Sequence, residues 1–188
     1  MDLSANWRYL KNTARRRLKN NWTPRQETKF KNLEILGVAG ELAARRYLGL
    51  PEKIHLHFDG GADLHWRGRT VDVKTTNLTK HFQHRFLQWP FDKPIIADII
   101  LMTVVDIEEK QACVIGFAYK DEVLNAEINH TRYRPCREIA FVDLRPAWEL
   151  FTLSQRKNGS KASKQSSQPA EGITTNASMD RKPATHAS

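Results

Sequence analysis

Residues 61–76 read Gly61-Ala62-Asp63-Leu64-His65-Trp66-Arg67-Gly68-Arg69-Thr70-Val71-Asp72-Val73-Lys74-Thr75-Thr76. Two segments rich in apolar and β-branched residues flank Arg67-Gly68, a pattern that predicts a β-hairpin with a tight turn. A turn centred between Arg67 and Gly68 sets Asp63 opposite Asp72, and directly opposed Cβ atoms stand about 5 Å apart on one sheet face. Lys74, two residues beyond Asp72, projects from that same face. Opposed like charges destabilise a sheet. A divalent cation relieves that repulsion, because hard cations take carboxylate oxygens and keep several waters. A water on such an ion releases a proton readily, and a neighbouring lysine can position or deprotonate it. The plainer alternative is a solvated hairpin face on which the acids pair with Lys74, Arg67 or Arg69.

Just upstream, residues 37–49 (Gly37-Val38-Ala39-Gly40-Glu41-Leu42-Ala43-Ala44-Arg45-Arg46-Tyr47-Leu48-Gly49) form a helical stretch that carries Glu41. A helix with G-E-L-A, then a strand with Asp63, then a strand ending Asp72-Val73-Lys74 resembles the PD-(D/E)xK nuclease superfamily. The likeness is detailed over residues 36–76 and looser to about residue 145 by pattern. Ala62 stands where the family usually has a proline. The resemblance implies an α/β fold with a restriction-endonuclease-like core, a mixed sheet of about five strands flanked by helices. It also implies a DNA-cleaving hydrolase dependent on Mg²⁺ or Mn²⁺. Asp63 and Asp72 would then bind the metal, with the Val73 carbonyl as a further ligand and Glu41 bound directly or through water. Lys74 would act on the attacking water. Endonuclease, exonuclease and junction resolvase share this catalytic quartet, and a homodimer is one assembly it allows. A non-cleaving DNA-binding or regulatory module on the same fold is the alternative.

The 188 residues suffice for one domain with extensions. Their formal charge of +9 is unevenly placed. Residues 1–36 hold nine Lys/Arg and three acids, residues 37–153 fifteen and sixteen, and residues 154–188 six and two. Basic arms around a near-neutral core suggest a polyanionic partner. The longest apolar run, in residues 94–105, is broken by Asp98, so no membrane span is expected. The start of the chain has no signal-peptide core. Cys113 and Cys136 lack any CxxC spacing, so neither a disulfide framework nor a cysteine zinc site is indicated. The simplest location is intracellular, in the cytoplasm.

The organisation read from pattern is a basic helical extension over 1–36, a nuclease-like core over 37–153 and a disordered tail over 154–188. In the extension, Trp7, Leu10, Ala14 and Leu18 form one apolar stripe. Arg8, Lys11, Arg15, Arg16, Arg17 and Lys19 fill the rest of the circumference. Arg15, Arg16, Arg17 and Lys19 are the candidate phosphate contacts. Thr23-Pro24-Arg25-Gln26 is a capping-box signature for a second helix. Gly37 and Gly40 predict a kink or break before Glu41, and also a close approach of that segment to the sheet. A Glu41–Arg45 ion pair at i,i+4 is the plain account of Arg45.

Further along, residues 53–58 alternate as a half-buried strand, with His55 and His57 on its polar side. Those histidines and His65 read as solvated side chains before they read as metal ligands, although His65 shares the Asp63 face. Residues 75–89 are polar with aromatics and fit a helix or a loop beside the site, Gln83 and His84 being positional candidates. Residues 95–105 read as a central strand, 112–119 as its partner, 120–126 as a short helix and 127–137 as a basic loop. A last strand over 139–144 and a helix over 146–153 packing Trp148 and Phe151 complete the expectation.

Overall fold

Two helices make one layer. The computed structural model describes residues 1–21, 24–56, 62–78, 85–131 and 134–152. Helix α1 (Trp7–Asn21) buries Trp7, Leu10, Ala14 and Leu18, the expected stripe, and α2 runs unbroken from Pro24 to Tyr47. The break anticipated at Gly37 and Gly40 does not occur, since the helix is continuous across both glycines. A mid-helix glycine costs about 1 kcal/mol. Burial of Ile35, Leu36, Val38, Ala39, Leu42 and Ala43 along this segment outweighs that cost. At its end, the N–H of Gly49 (φ +69°) donates to Arg46 O and that of Leu50 to Arg45 O, at 3.3 and 2.8 Å. These two bonds define a Schellman stop.

The central sheet is mixed and has the order β1-β2-β4-β5: β1 (Leu64–Trp66), β2 (Arg69–Asn77), β4 (Ile99–Asp106) and β5 (Gln111–Tyr119). β1 is antiparallel to β2, β2 parallel to β4, and β4 antiparallel to β5. A separate three-stranded sheet has the order β3-β7-β6: β3 (Phe86–Pro90), β6 (Ile128–Asn129) and β7 (Cys136–Ala140). The single sheet of about five strands is therefore corrected to four strands plus a small second sheet. β4 is buried along nearly its whole length, as its aliphatic run predicts, though it begins at Ile99. A short helix α3 (Lys120–Leu124) follows β5.

α2 covers one face of the central sheet. Gly40 sets that contact, since a Cβ there would lie 1.9 Å from Thr75 Oγ1 and 2.5 Å from Thr103 Oγ1. Those two hydroxyls share a 2.9 Å hydrogen bond across β2 and β4. The close approach expected of Gly40 is thus present, whereas a Cβ at Gly37 would meet nothing. On the opposite face, Leu87 and Trp89 of β3 pack with Ile100, Met102 and Ala118. No helix among the described residues is long and apolar enough to cross a membrane.

Four other expectations change. Residues 53–56 form no strand, because their backbone groups bond to side chains. Ile54 N–H donates to the Tyr9 hydroxyl, and His55 O accepts from Arg17 Nε. Residues 75–77 complete β2 and 86–90 form β3, the alternation of Leu87 and Trp89 having been obscured by neighbouring Phe86 and Pro90. The basic segment 127–137 contributes β6 and the start of β7. Near the end, Ala147 and Leu150 are buried while Trp148 is 60% exposed, so Trp148 is not a packing residue. The capping residue Thr23, and the stretch from residue 153 on, lie outside the described residues.

Candidate active site

The hairpin adopts the register its turn predicts. Arg67 (φ 49°) and Gly68 (φ 74°) both take positive φ, the requirement of a type I′ turn. Leu64 pairs with Val71, His65 with Thr70 and Trp66 with Arg69, and the ladder stops there, so the expected Asp63–Asp72 pair does not form: the Asp63 N–H goes to Val71 O instead. Thr70 also ties the start of β2 to Asp98, whose Oδ2 accepts its N–H at 2.8 Å and its hydroxyl at 2.9 Å. This gives Asp98, which the sequence assigned to nothing, a structural use.

Asp63 stands just before β1, where the hairpin pairing ends. Its N–H donates to Val71 O at 2.9 Å, and its Oδ2 accepts the Val73 N–H at 2.7 Å. A carboxylate therefore caps the edge of β2 beyond the end of β1. The carbonyl and N–H of one strand residue point to the same side, so the Val73 carbonyl is directed to that edge too. Burial pushes the Asp63 carboxyl up to about 7, and the charges of Asp72 and then Glu41 add to the rise. The Val73 N–H and the Lys74 ammonium pull the other way without compensating.

Asp72 is buried, and its Oδ1 accepts no hydrogen bond. The Lys74 ammonium lies against that oxygen as an ion pair. Lys74 Nζ also sits 4.5 Å from the centroid of the Trp89 ring, so β3 supplies one wall for the lysine. Asp72 and Lys74 share their sheet face with Ile100 and Met102, the residues that Leu87 and Trp89 cover.

Glu41 follows Gly40 on α2 and is buried. Both its oxygens are taken by Arg17 of α1: Nη1 to Oε1 at 2.6 Å and Nη2 to Oε2 at 2.8 Å. Burial raises the Glu41 pKa, and the Arg17 charge only partly offsets it. Glu34, two helical turns earlier on the same face, lies 3.6 Å from Arg17 Nη1 and is likewise raised by burial. The expected Glu41–Arg45 pair gives way to this longer-range one. Arg45 is buried, with Nη1 donating to Pro51 O and Nε accepted by nothing.

The N-terminal basic cluster divides. Arg15, Arg16 and Lys19 are exposed, as phosphate contacts must be, but Arg17 is only 7% exposed and faces inward. The placement of Arg17 on the solvated face is corrected. It lies seven residues after Leu10 and three after Ala14, a position on the apolar stripe that the Arg-Arg-Arg run disguises. His55 and His65 are exposed; His57, Gln83 and His84 lie outside the described residues. Among the described residues, no three His, Cys, Asp or Glu side chains form a ready-made metal-binding group. Sequence reasoning missed Arg17, Glu34 and Trp89. The seven-residue spacing of Glu34 and Glu41 was a readable signal for the second, whereas nothing local marks Trp89 as a neighbour of Lys74.

Comparison of the chain with protein-family models, with curated proteins and with solved structures finds no match.

Proposed function

We propose that the chain is a divalent-metal-dependent nuclease of the PD-(D/E)xK type that hydrolyses phosphodiester bonds in DNA. The reading is carried by one observation: where β1 leaves β2, Asp63 caps the Val73 N–H beside Asp72, and Lys74 is ion-paired to Asp72. The donor set fits a hard cation. Carboxylates and a strand carbonyl are oxygen ligands, the kind a hard cation takes. Asp63 is raised first by burial, and the charges of Asp72 and Glu41 add to the rise, an excess of acid that a cation would relieve.

Mg²⁺ or Mn²⁺ at Asp63, Asp72 and the Val73 carbonyl would supply Lewis acidity toward the scissile phosphate. Lys74, an ammonium confined between Asp72 and the Trp89 ring, would orient the attacking water by donating a hydrogen bond to it. Arg15, Arg16 and Lys19 hold the nucleic-acid backbone through charge. Glu41 belongs to the site electrostatically, since its charge bears on Asp63.

A second reading is favoured by the closure of Glu41 on Arg17: a DNA-binding module that keeps the fold without cleaving. One experiment separates the two. Linear duplex, supercoiled, single-stranded, flap and four-way-junction DNA, with RNA as a further substrate, are incubated with Mg²⁺, Mn²⁺ or EDTA. Wild type is compared with Asp72→Asn and Lys74→Ala. Metal-dependent cleavage lost in both variants supports the nuclease, and the preferred substrate then names the subclass. Binding with a steep salt dependence and no cleavage supports the module. Cleavage that persists in both variants refutes the site.

A further inference from the structure

Arg17 is at the centre of the inference, which rests on the nuclease reading of the site. Its guanidinium comes from α1, outside the helix-strand-strand unit that bears the acids. It is nearly fully buried, and each of its three nitrogens has a partner. Nη1 and Nη2 take the two Glu41 oxygens, Nε donates to His55 O at 2.7 Å, and Nη1 also stands 3.6 Å from a Glu34 oxygen. The charge of Asp63 bears on it as well. A permanent cation supplied by the chain therefore lies among three of the site's acids.

A guanidinium and a divalent ion make the same demand on a carboxylate. The bidentate fork takes both oxygens of Glu41, and a metal ligand must give up at least one of them. Arg17 cannot withdraw by losing its proton, because arginine keeps its charge in proteins. Nor can it simply be abandoned, since a buried charge without a partner is strongly unfavourable. Glu34 resolves this. It sits on the same face of α2, already within ion-pairing distance of Nη1. Nη1 stands 2.6 Å from Glu41 and 3.6 Å from Glu34, so a small shift of the rigid guanidinium as a whole exchanges one acid for the other.

We propose that Arg17 is a latch on Glu41 that competes with the metal, holding the helix acid when the metal is absent and passing to Glu34 when the metal binds. The affinity of the site for a divalent ion is then set by α1 as much as by the acids.

The test is calorimetric titration of Mn²⁺ into the full-length protein without nucleic acid, with circular dichroism melting to establish that each variant is folded. Wild type is compared with Arg17→Met, Arg17→Lys, Glu41→Gln and the Arg17→Met/Glu41→Gln double variant. Arg17→Met is expected to bind Mn²⁺ at least about tenfold more tightly than wild type, as loss of a charge-assisted bidentate contact implies. Arg17→Lys, which keeps the charge and loses the fork, should gain less, and it serves if Arg17→Met does not fold. With Glu41→Gln already present, removing Arg17 should change affinity by less than about twofold. Unchanged or weaker Mn²⁺ binding in the Arg17 variants, with wild type binding Mn²⁺ and cleaving, overturns the latch and leaves the nuclease reading standing. No Mn²⁺ binding in any protein overturns both.

Discussion

Replacing Asp63 with Asn should stabilise the metal-free protein, and by an amount that depends on pH. The folded protein holds the Asp63 proton until about pH 7, whereas the unfolded chain releases it near 3.8. Between those values the folded state binds more protons, so stability falls as pH rises. Below the lower value both states are protonated and the penalty is absent. Above pH 8 it is complete, at 1.36 kcal/mol for each tenfold step or about 4 kcal/mol in all. Asn is close in shape to the protonated acid, and its Oδ1 can still accept the Val73 N–H. Asp63→Asn should therefore exceed wild type by about 4 kcal/mol at pH 8 and by about 1.5 kcal/mol at pH 5. Urea unfolding in EDTA at the two pH values measures both numbers. Excess Mg²⁺ at pH 8 should shrink the gap, because ligand binding stabilises only the protein that retains the carboxylate. A gain that is the same at both pH values, or a loss of stability at pH 8, would refute the account of Asp63 as an acid held neutral by burial and its neighbours.

Gly40→Ala should lower stability by about 1–3 kcal/mol, the usual cost of forcing extra atoms into a packed contact, because its Cβ would collide with Thr75 and Thr103. Gly37→Ala, on the same helix with open space around it, should instead raise stability by up to about 1 kcal/mol; thermal melts of the pair decide both. Lys74→Ala should cut kcat by about 10²–10⁴-fold, the usual scale for a group positioned on the attacking water, while Mn²⁺ binding is retained. Equal loss of both in titration and cleavage assays would mean that the lysine only shapes the site. For the exposed cluster, each of Arg15→Ala, Arg16→Ala and Lys19→Ala should lower the slope of log affinity for duplex DNA against log salt by about 0.9. Slopes that do not move would remove α1 from the nucleic-acid interface.

The hairpin was legible because its information is local. Arg67-Gly68 dictates the turn and the turn dictates the register from Trp66–Arg69 to Leu64–Val71; the step that would have paired Asp63 with Asp72 is lost because the Asp63 N–H bonds Val71 O. Gly40 was legible for a similar reason, as a helix glycine beside a charged residue suggests close approach. What escaped was decided at long range. Arg17 meets Glu41 across 24 residues and Trp89 reaches Lys74 across fifteen, through packing that no spacing rule encodes. No strand forms over 53–56, the described part of the expected one, because alternation records only which side chains are buried. It does not record whether another strand is available to take the backbone bonds, and here the Tyr9 hydroxyl and Arg17 take them. The break expected in α2 failed because propensity is a small quantity beside the apolar area that the helix buries.

β2 and β4 run parallel and adjacent, so the chain between them must travel back the full length of the sheet before it can re-enter. One face of that sheet already belongs to α2, and β3, which lies within this return path, packs on the other. The wall beside Lys74 is in this sense a consequence of connectivity: the return journey roofs the lysine whatever its residues are, and Trp89 is the particular tile laid there. A change in the length of the return path would thus act on the lysine's surroundings from a distance, while a change at position 89 would act on them directly.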